Sequence, residues 1–75
     1  MKFIKTDYYE LIHYSIIERI KMHQDMFTEN LYWIDGYYKK GGSVTLFKFH
    51  SHEDAKKRFD ELCLEFENNS GENRE

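Results

Sequence analysis

The feature that most constrains this chain is the stretch Ser43-Val44-Thr45-Leu46-Phe47-Lys48-Phe49-His50-Ser51-His52-Glu53-Asp54-Ala55, where β-branched and aromatic residues run straight into a helix start signal. A strand that passes into a helix with almost no linker fixes the sheet and the helix start together, so everything else must pack around the junction. Ser51 supplies the N-cap, and Asp54 three residues on makes an acidic variant of the capping box. Beyond it Ala55, Phe59, Leu62, Cys63 and Phe66 share one helical stripe. The pairs Glu53/Lys57, Asp54/Arg58, Lys56/Asp60 and Lys57/Glu61 place opposite charges at i,i+4 on the exposed side.

Upstream, Gly41-Gly42 separates two strand-like segments, 31–40 and 43–50, and suits a two-residue primed turn because glycine tolerates positive φ. That turn sets Lys40 opposite Ser43, Tyr38 opposite Thr45, Gly36 opposite Phe47, Ile34 opposite Phe49, Tyr37 opposite Leu46 and Asp35 opposite Lys48. Phe3 and Ile4 between two lysines predict a short strand over 2–5. Residues 8–22 fit two periods at once: Ile12, Ile16 and Ile20 at helical spacing, Ile12, Tyr14, Ile16, Ile20 and Met22 in alternation. Their tyrosines and isoleucines, with no alanine, favour two short strands with a turn near Ser15. The alternative makes residues 7–24 helical and gives an α-β-β-α order. Residues 23–30 read as a surface loop with Met26 and Phe27 folded back or exposed. The expected fold class is α+β, an antiparallel sheet of three to five strands with one C-terminal helix across it. A single domain spans 1–67, and 68–75, with no apolar anchor, is expected to be a disordered tail.

Seventy-five residues allow one domain, which buries only about 60% of its unfolded surface. With 17% aromatic residues, a few large rings must do much of the packing. The lone Cys63 excludes an internal disulfide, and no apolar run approaches the ~18 residues of a membrane span. No membrane partner and a cytoplasmic location are expected, since Met1-Lys2-Phe3-Ile4-Lys5 is not followed by the apolar stretch of a secretory signal. A net charge of -3 weighs against a general nucleic-acid binder while leaving room for a local basic patch.

No cluster demands a reaction. His50 and His52 at i,i+2, with Cys63, His13 or Asp54, hold too few thiolates and too scattered imidazoles for a usual closed zinc site. Cys63 sits in the apolar stripe, where a thiol acts as a small hydrophobe. Neither a catalytic triad nor a phosphate-binding loop is present, so the chain reads as a non-enzyme without cofactor or metal. The hairpin, by contrast, is apolar on both faces, Ile34/Tyr38/Phe47/Phe49 on one and Trp33/Tyr37/Val44/Leu46 on the other, and one helix covers only one face. Either the 8–27 segment covers the second face or that face is a contact surface. Trp33, Asp35, Tyr37, Lys39 and Lys40 are therefore the candidate partner-binding residues. Their partner is a protein complex; a nucleic acid stacking on the tyrosines beside Lys39 and Lys40, or a homodimer, are the alternatives.

The opening Met1-Lys2-Phe3-Ile4-Lys5, the run Glu10-Leu11-Ile12-His13-Tyr14-Ser15-Ile16-Ile17-Glu18-Arg19-Ile20, and Gly41-Gly42-Ser43-Val44-Thr45-Leu46-Phe47-Lys48-Phe49 with its acidic-capped helix resemble small phage and mobile-element proteins. The opening pentapeptide and the strand-to-helix junction are similar to those of type I-F anti-CRISPR proteins. The resemblance spans most of residues 1–66 and lies in structural positions. It implies an antiparallel meander with a C-terminal helix, and an inhibitor that works in the host cytoplasm by occluding a site on a bacterial defence complex.

Overall fold

The computed structural model describes residues 3–73, with side chains described as far as Asn68. Strands β1 (Phe3–Lys5) and β2 (Leu11–His13) are followed by a 3-10 turn (Tyr14–Ile16). Then come β3 (Ile17–Gln24), β4 (Tyr32–Tyr38), β5 (Ser43–Phe49) and helix α1 (His52–Asn73). The α+β class and the single C-terminal helix are as expected. Residues 11–13 and 17–24 are extended, so the α-β-β-α alternative does not form. The turn between the two strands falls at Ser15, where His13 Nδ1 accepts the Ser15 N–H at 3.1 Å. The backbone of α1 runs on to Asn73. Of the tail expected over 68–75, residues 74–75 and the side chains beyond Asn68 lie outside those described.

The strands form two antiparallel sheets, β1-β2 and β3-β4-β5. The ribbon β1-β2 turns on buried Thr6, whose Oγ1 accepts the N–H groups of Tyr8 at 3.1 Å and Glu10 at 3.3 Å. It docks on β5 through Asp7. The Asp7 N–H donates to Leu46 O at 3.0 Å, and Asp7 Oδ2 accepts the Lys48 N–H at 3.0 Å. Helix α1 starts as its cap predicts, Ser51 Oγ accepting the Asp54 N–H at 3.4 Å.

The hairpin register differs from expectation. Tyr37 pairs with Ser43, Gly36 with Val44 and Asp35 with Thr45; then Ile34 pairs with Phe47, Trp33 with Lys48 and Tyr32 with Phe49. The cause is the turn, which is built on Lys39 and Lys40. Gly41 N–H donates to Tyr38 O and Tyr38 N–H donates to Gly42 O, so Lys39, Lys40 and Gly41 form a three-residue loop closed by Gly42, and the two glycines, at φ +105° and +86°, make the bulge. A second irregularity lies between the Asp35 and Ile34 pairs, where Leu46 is the extra residue. The bulge lets consecutive Leu46 and Phe47 both turn inward. Val44 and Leu46, expected on the face of Trp33 and Tyr37, therefore lie on the opposite one, with Leu46 in the core and Val44 packed against it.

The core joins Ile4 and Ile12 of the ribbon, Tyr14, Ile17, Ile34, Leu46 and Phe47 to Leu62 of the helix, with Phe59 and Phe66 packed beside them. Tyr14 seals one end. Its hydroxyl donates to Glu65, its ring meets Phe66 edge-on at 4.7 Å, and burial, reinforced by the Glu65 carboxylate, raises its ionisation well above the ordinary tyrosine range. Of the expected helix ion pairs Lys56–Asp60 forms at 3.1 Å, whereas Arg58 turns to Glu61 at 3.2 Å and lies over the Phe47 ring at 4.7 Å. Among the described residues no helix is long and apolar enough to cross a membrane.

Candidate functional site

Because side chains alternate along a strand, burying Ile34 and Gly36 of central strand β4 on the core side turns Trp33, Asp35 and Tyr37 to the other side. The register of the neighbours then decides what surrounds them. Arg19, Lys21 and His23 of β3 stand opposite Tyr37, Asp35 and Trp33; Ser43, Thr45 and Lys48 of β5 flank the same three residues. The Arg19 guanidinium lies 4.0 Å from the Tyr37 ring centroid and Lys48 Nζ 5.6 Å from that of Trp33. His23 Nε2 lies 2.8 Å from Asp35 Oδ2, while Asp35 Oδ1 is buried with no hydrogen-bond partner. The 8–27 segment does not cover this face. It supplies β3, which extends the sheet sideways and leaves the face open.

Three of the five candidate residues, Trp33, Asp35 and Tyr37, thus share one half-buried patch. Lys39 and Lys40 are exposed at the hairpin turn, beyond the strand end. The pairing of Asp35 with Lys48 is overturned, since Asp35 faces Thr45 and Lys21 while Lys48 faces Trp33. Sequence reasoning missed Arg19, Lys21 and His23, although their alternation with Ile20 and Met22 is the mark of a strand with one charged side.

At one end the face continues into the β3–β4 loop. Asp25 holds that loop: Oδ2 accepts the N–H groups of Phe27 at 3.0 Å and Thr28 at 2.9 Å, and Oδ1 accepts Trp33 Nε1–H at 3.2 Å. Met26 and Phe27 are left 88% and 92% exposed, the folded-back option discarded. The indole hydrogen bond, followed by the backbone bond from Phe27, lowers the ionisation of Asp25 below the ordinary aspartate range. A depressed folded pKa makes this link fully present above the unfolded aspartate value of about 3.9 and lost as pH falls through the lower folded value. Trp33, the only tryptophan, should therefore keep its emission down to about pH 4 and change below it. Asp25→Asn, which has no carboxyl group to protonate, should abolish that transition, and a transition centred above pH 5 would contradict the arrangement.

The other candidates sit elsewhere. Cys63 is half-buried, its thiol raised by burial and then by Asp60 and Glu67, the reverse of an activated nucleophile. His52 packs edge-on against Tyr32 and His13 against Phe3. Among the described residues no group of three or more His, Cys, Asp or Glu is arranged to hold a metal ion. Comparison with protein-family models, curated proteins and solved structures finds no match.

Proposed function

We propose that this is a small non-enzymatic binding protein that uses the outer face of β3-β4-β5 to occlude a site on a protein complex, in the manner of a phage inhibitor of a bacterial defence system acting in the host cytoplasm. The observation that carries the reading is the row Trp33, Asp35, Tyr37 on the open side of the central strand, bordered by cations from both neighbours. Aromatic side chains concentrate binding energy because they offer large area for little lost entropy. The type of target rests on the resemblance to type I-F anti-CRISPR proteins. A homodimer through this face is disfavoured, since it would bring Arg19, Lys21 and Lys48 of two copies together.

The same cations favour a second reading, a single-stranded nucleic acid with bases on Trp33 and Tyr37 and phosphates on Arg19, Lys21 and Lys48. One experiment separates them. In bacteria whose type I-F system restricts a phage, expression of the wild type should restore plaquing by more than tenfold. Trp33→Ala/Tyr37→Ala should abolish the rescue, and Lys39→Ala/Lys40→Ala should leave most of it, each variant being checked for folding. No rescue by wild type rejects this target. Binding of the purified protein to an unlabelled oligonucleotide, with a salt slope that falls by about one per lysine removed, would establish the second reading.

A further inference from the structure

We infer that the free edge of β3 accepts an extended segment of the partner protein as a fourth strand, and that the segment carries acidic residues on one side and apolar residues on the other. The inference rests on the protein-partner reading above and gives that partner a chemistry. The two edges of the three-stranded sheet are not equivalent. The edge of β5 is occupied at its middle by Asp7, which bonds both Leu46 O and Lys48 N–H. Among the described residues, the backbone of Glu18–Gln24 has no hydrogen-bond partner except in β4. At about 3.3 Å per residue this is an edge of more than 20 Å whose outward N–H and C=O groups await a partner.

The side chains of β3 specify that partner. Arg19, Lys21 and His23 alternate on the outer face, while Ile20 and Met22, both half-buried, border the core on the inner one. A strand laid along β3 places its side chains about 5 Å from these. Glutamates or aspartates would stand beside Arg19 and Lys21, and aliphatic residues beside Ile20 and Met22. A second copy of this chain fits badly. The two registers of β3 on itself that keep the faces matched over the longest overlap set Arg19 opposite Lys21, or Arg19 opposite His23 with Lys21 opposite itself, and the shorter ones set Arg19 opposite itself, Lys21 opposite His23 or His23 opposite itself. Charges that keep the edge from pairing with its own kind thus select a strand of opposite charge. Lys21 is exposed, with neither an ion pair nor a ring beneath it among the described residues.

The test uses the full-length chain, isotope-labelled for amide resonances, and a synthetic eight-residue peptide alternating valine with glutamate. Saturable shifts should appear along Glu18–Gln24, with hydrogen exchange at alternate β3 amides slowed at least tenfold. A peptide alternating valine with lysine should bind at least tenfold more weakly. Arg19→Glu/Lys21→Glu should reverse that order; Lys21→Glu alone, at an exposed position, serves if the double variant unfolds. No saturable shift in β3, or equal affinity for the two peptides, overturns the inference. So do shifts confined to Trp33, Tyr37 and Lys48 with β3 amides unprotected, an outcome that leaves the outer-face reading standing. Concentration-dependent β3 protection without peptide would mean that a second copy takes the edge, which also overturns it. Shifts on the outer face with an oligothymidine, and none with either peptide, would overturn both this inference and the protein-partner reading.

Discussion

Leu62→Ala should lower stability by about 2–5 kcal/mol, the range for truncating a fully buried leucine. A chain of 75 residues is held by roughly 4–11 kcal/mol at the usual 0.05–0.15 kcal/mol per residue, so the variant should be largely unfolded at moderate urea. Leu62 is wholly buried among Ile34, Leu46 and Phe47, and α1 is the element that brings it to the sheet. Phe59, only half-buried on the same stripe, should matter less. Urea unfolding followed by circular dichroism measures both. An unchanged midpoint for Leu62→Ala would mean that the helix does not dock on this face.

The second large effect runs against propensity. Valine is a far better strand former than glycine, yet Gly36→Val should destabilise by about 1–3 kcal/mol. A Cβ at Gly36 would stand 3.2 Å from Ile17 Cδ1 and 3.3 Å from Leu46 Cδ1, before the two further methyl groups of valine are placed. Ile17 and Leu46 are themselves buried, so neither side chain has room to withdraw. A melting temperature at or above that of the wild type would show that β3 and β5 can part at this point. The glycine is needed for the approach of the Ile17 and Leu46 side chains, and its partner across the hairpin is Val44 where the expected register had Phe47.

How far the fold could be read followed the range of the interactions that set it. The strand-to-helix junction, the helix stripe and the break at Ser15 are decided within a few residues, and composition and capping expose such signals. The hairpin register was lost to a turn that two glycines appeared to dictate. Gly41 and Gly42 do adopt positive φ, but they follow a turn on Lys39-Lys40, and shifting a register by an odd number of residues exchanges the faces. A trace of the bulge was present: Val44 and Leu46 alternate in one phase, Phe47 and Phe49 in the other, and the change of phase at Leu46–Phe47 marks the extra residue. Trp33, Asp35 and Tyr37 were legible because alternation on one strand is local. Arg19, Lys21 and Lys48 were not, since nothing near them in sequence says that β3 and β5 lie on either side of β4.

The bond from Asp7 to the bulge of β5 also orders events in time. The ribbon β1-β2 leaves the ribosome before β5 and α1, but two strands of three residues have almost no stability of their own. Their anchors, Leu46 O and the Lys48 N–H, follow Asp7 by some forty residues, and Leu62, which shares the core with Ile4 and Ile12, comes later still. The ribbon is thus made before the elements that fix it, and until the helix has emerged Ile4 and Ile12 remain available to chaperones, to proteases and to one another.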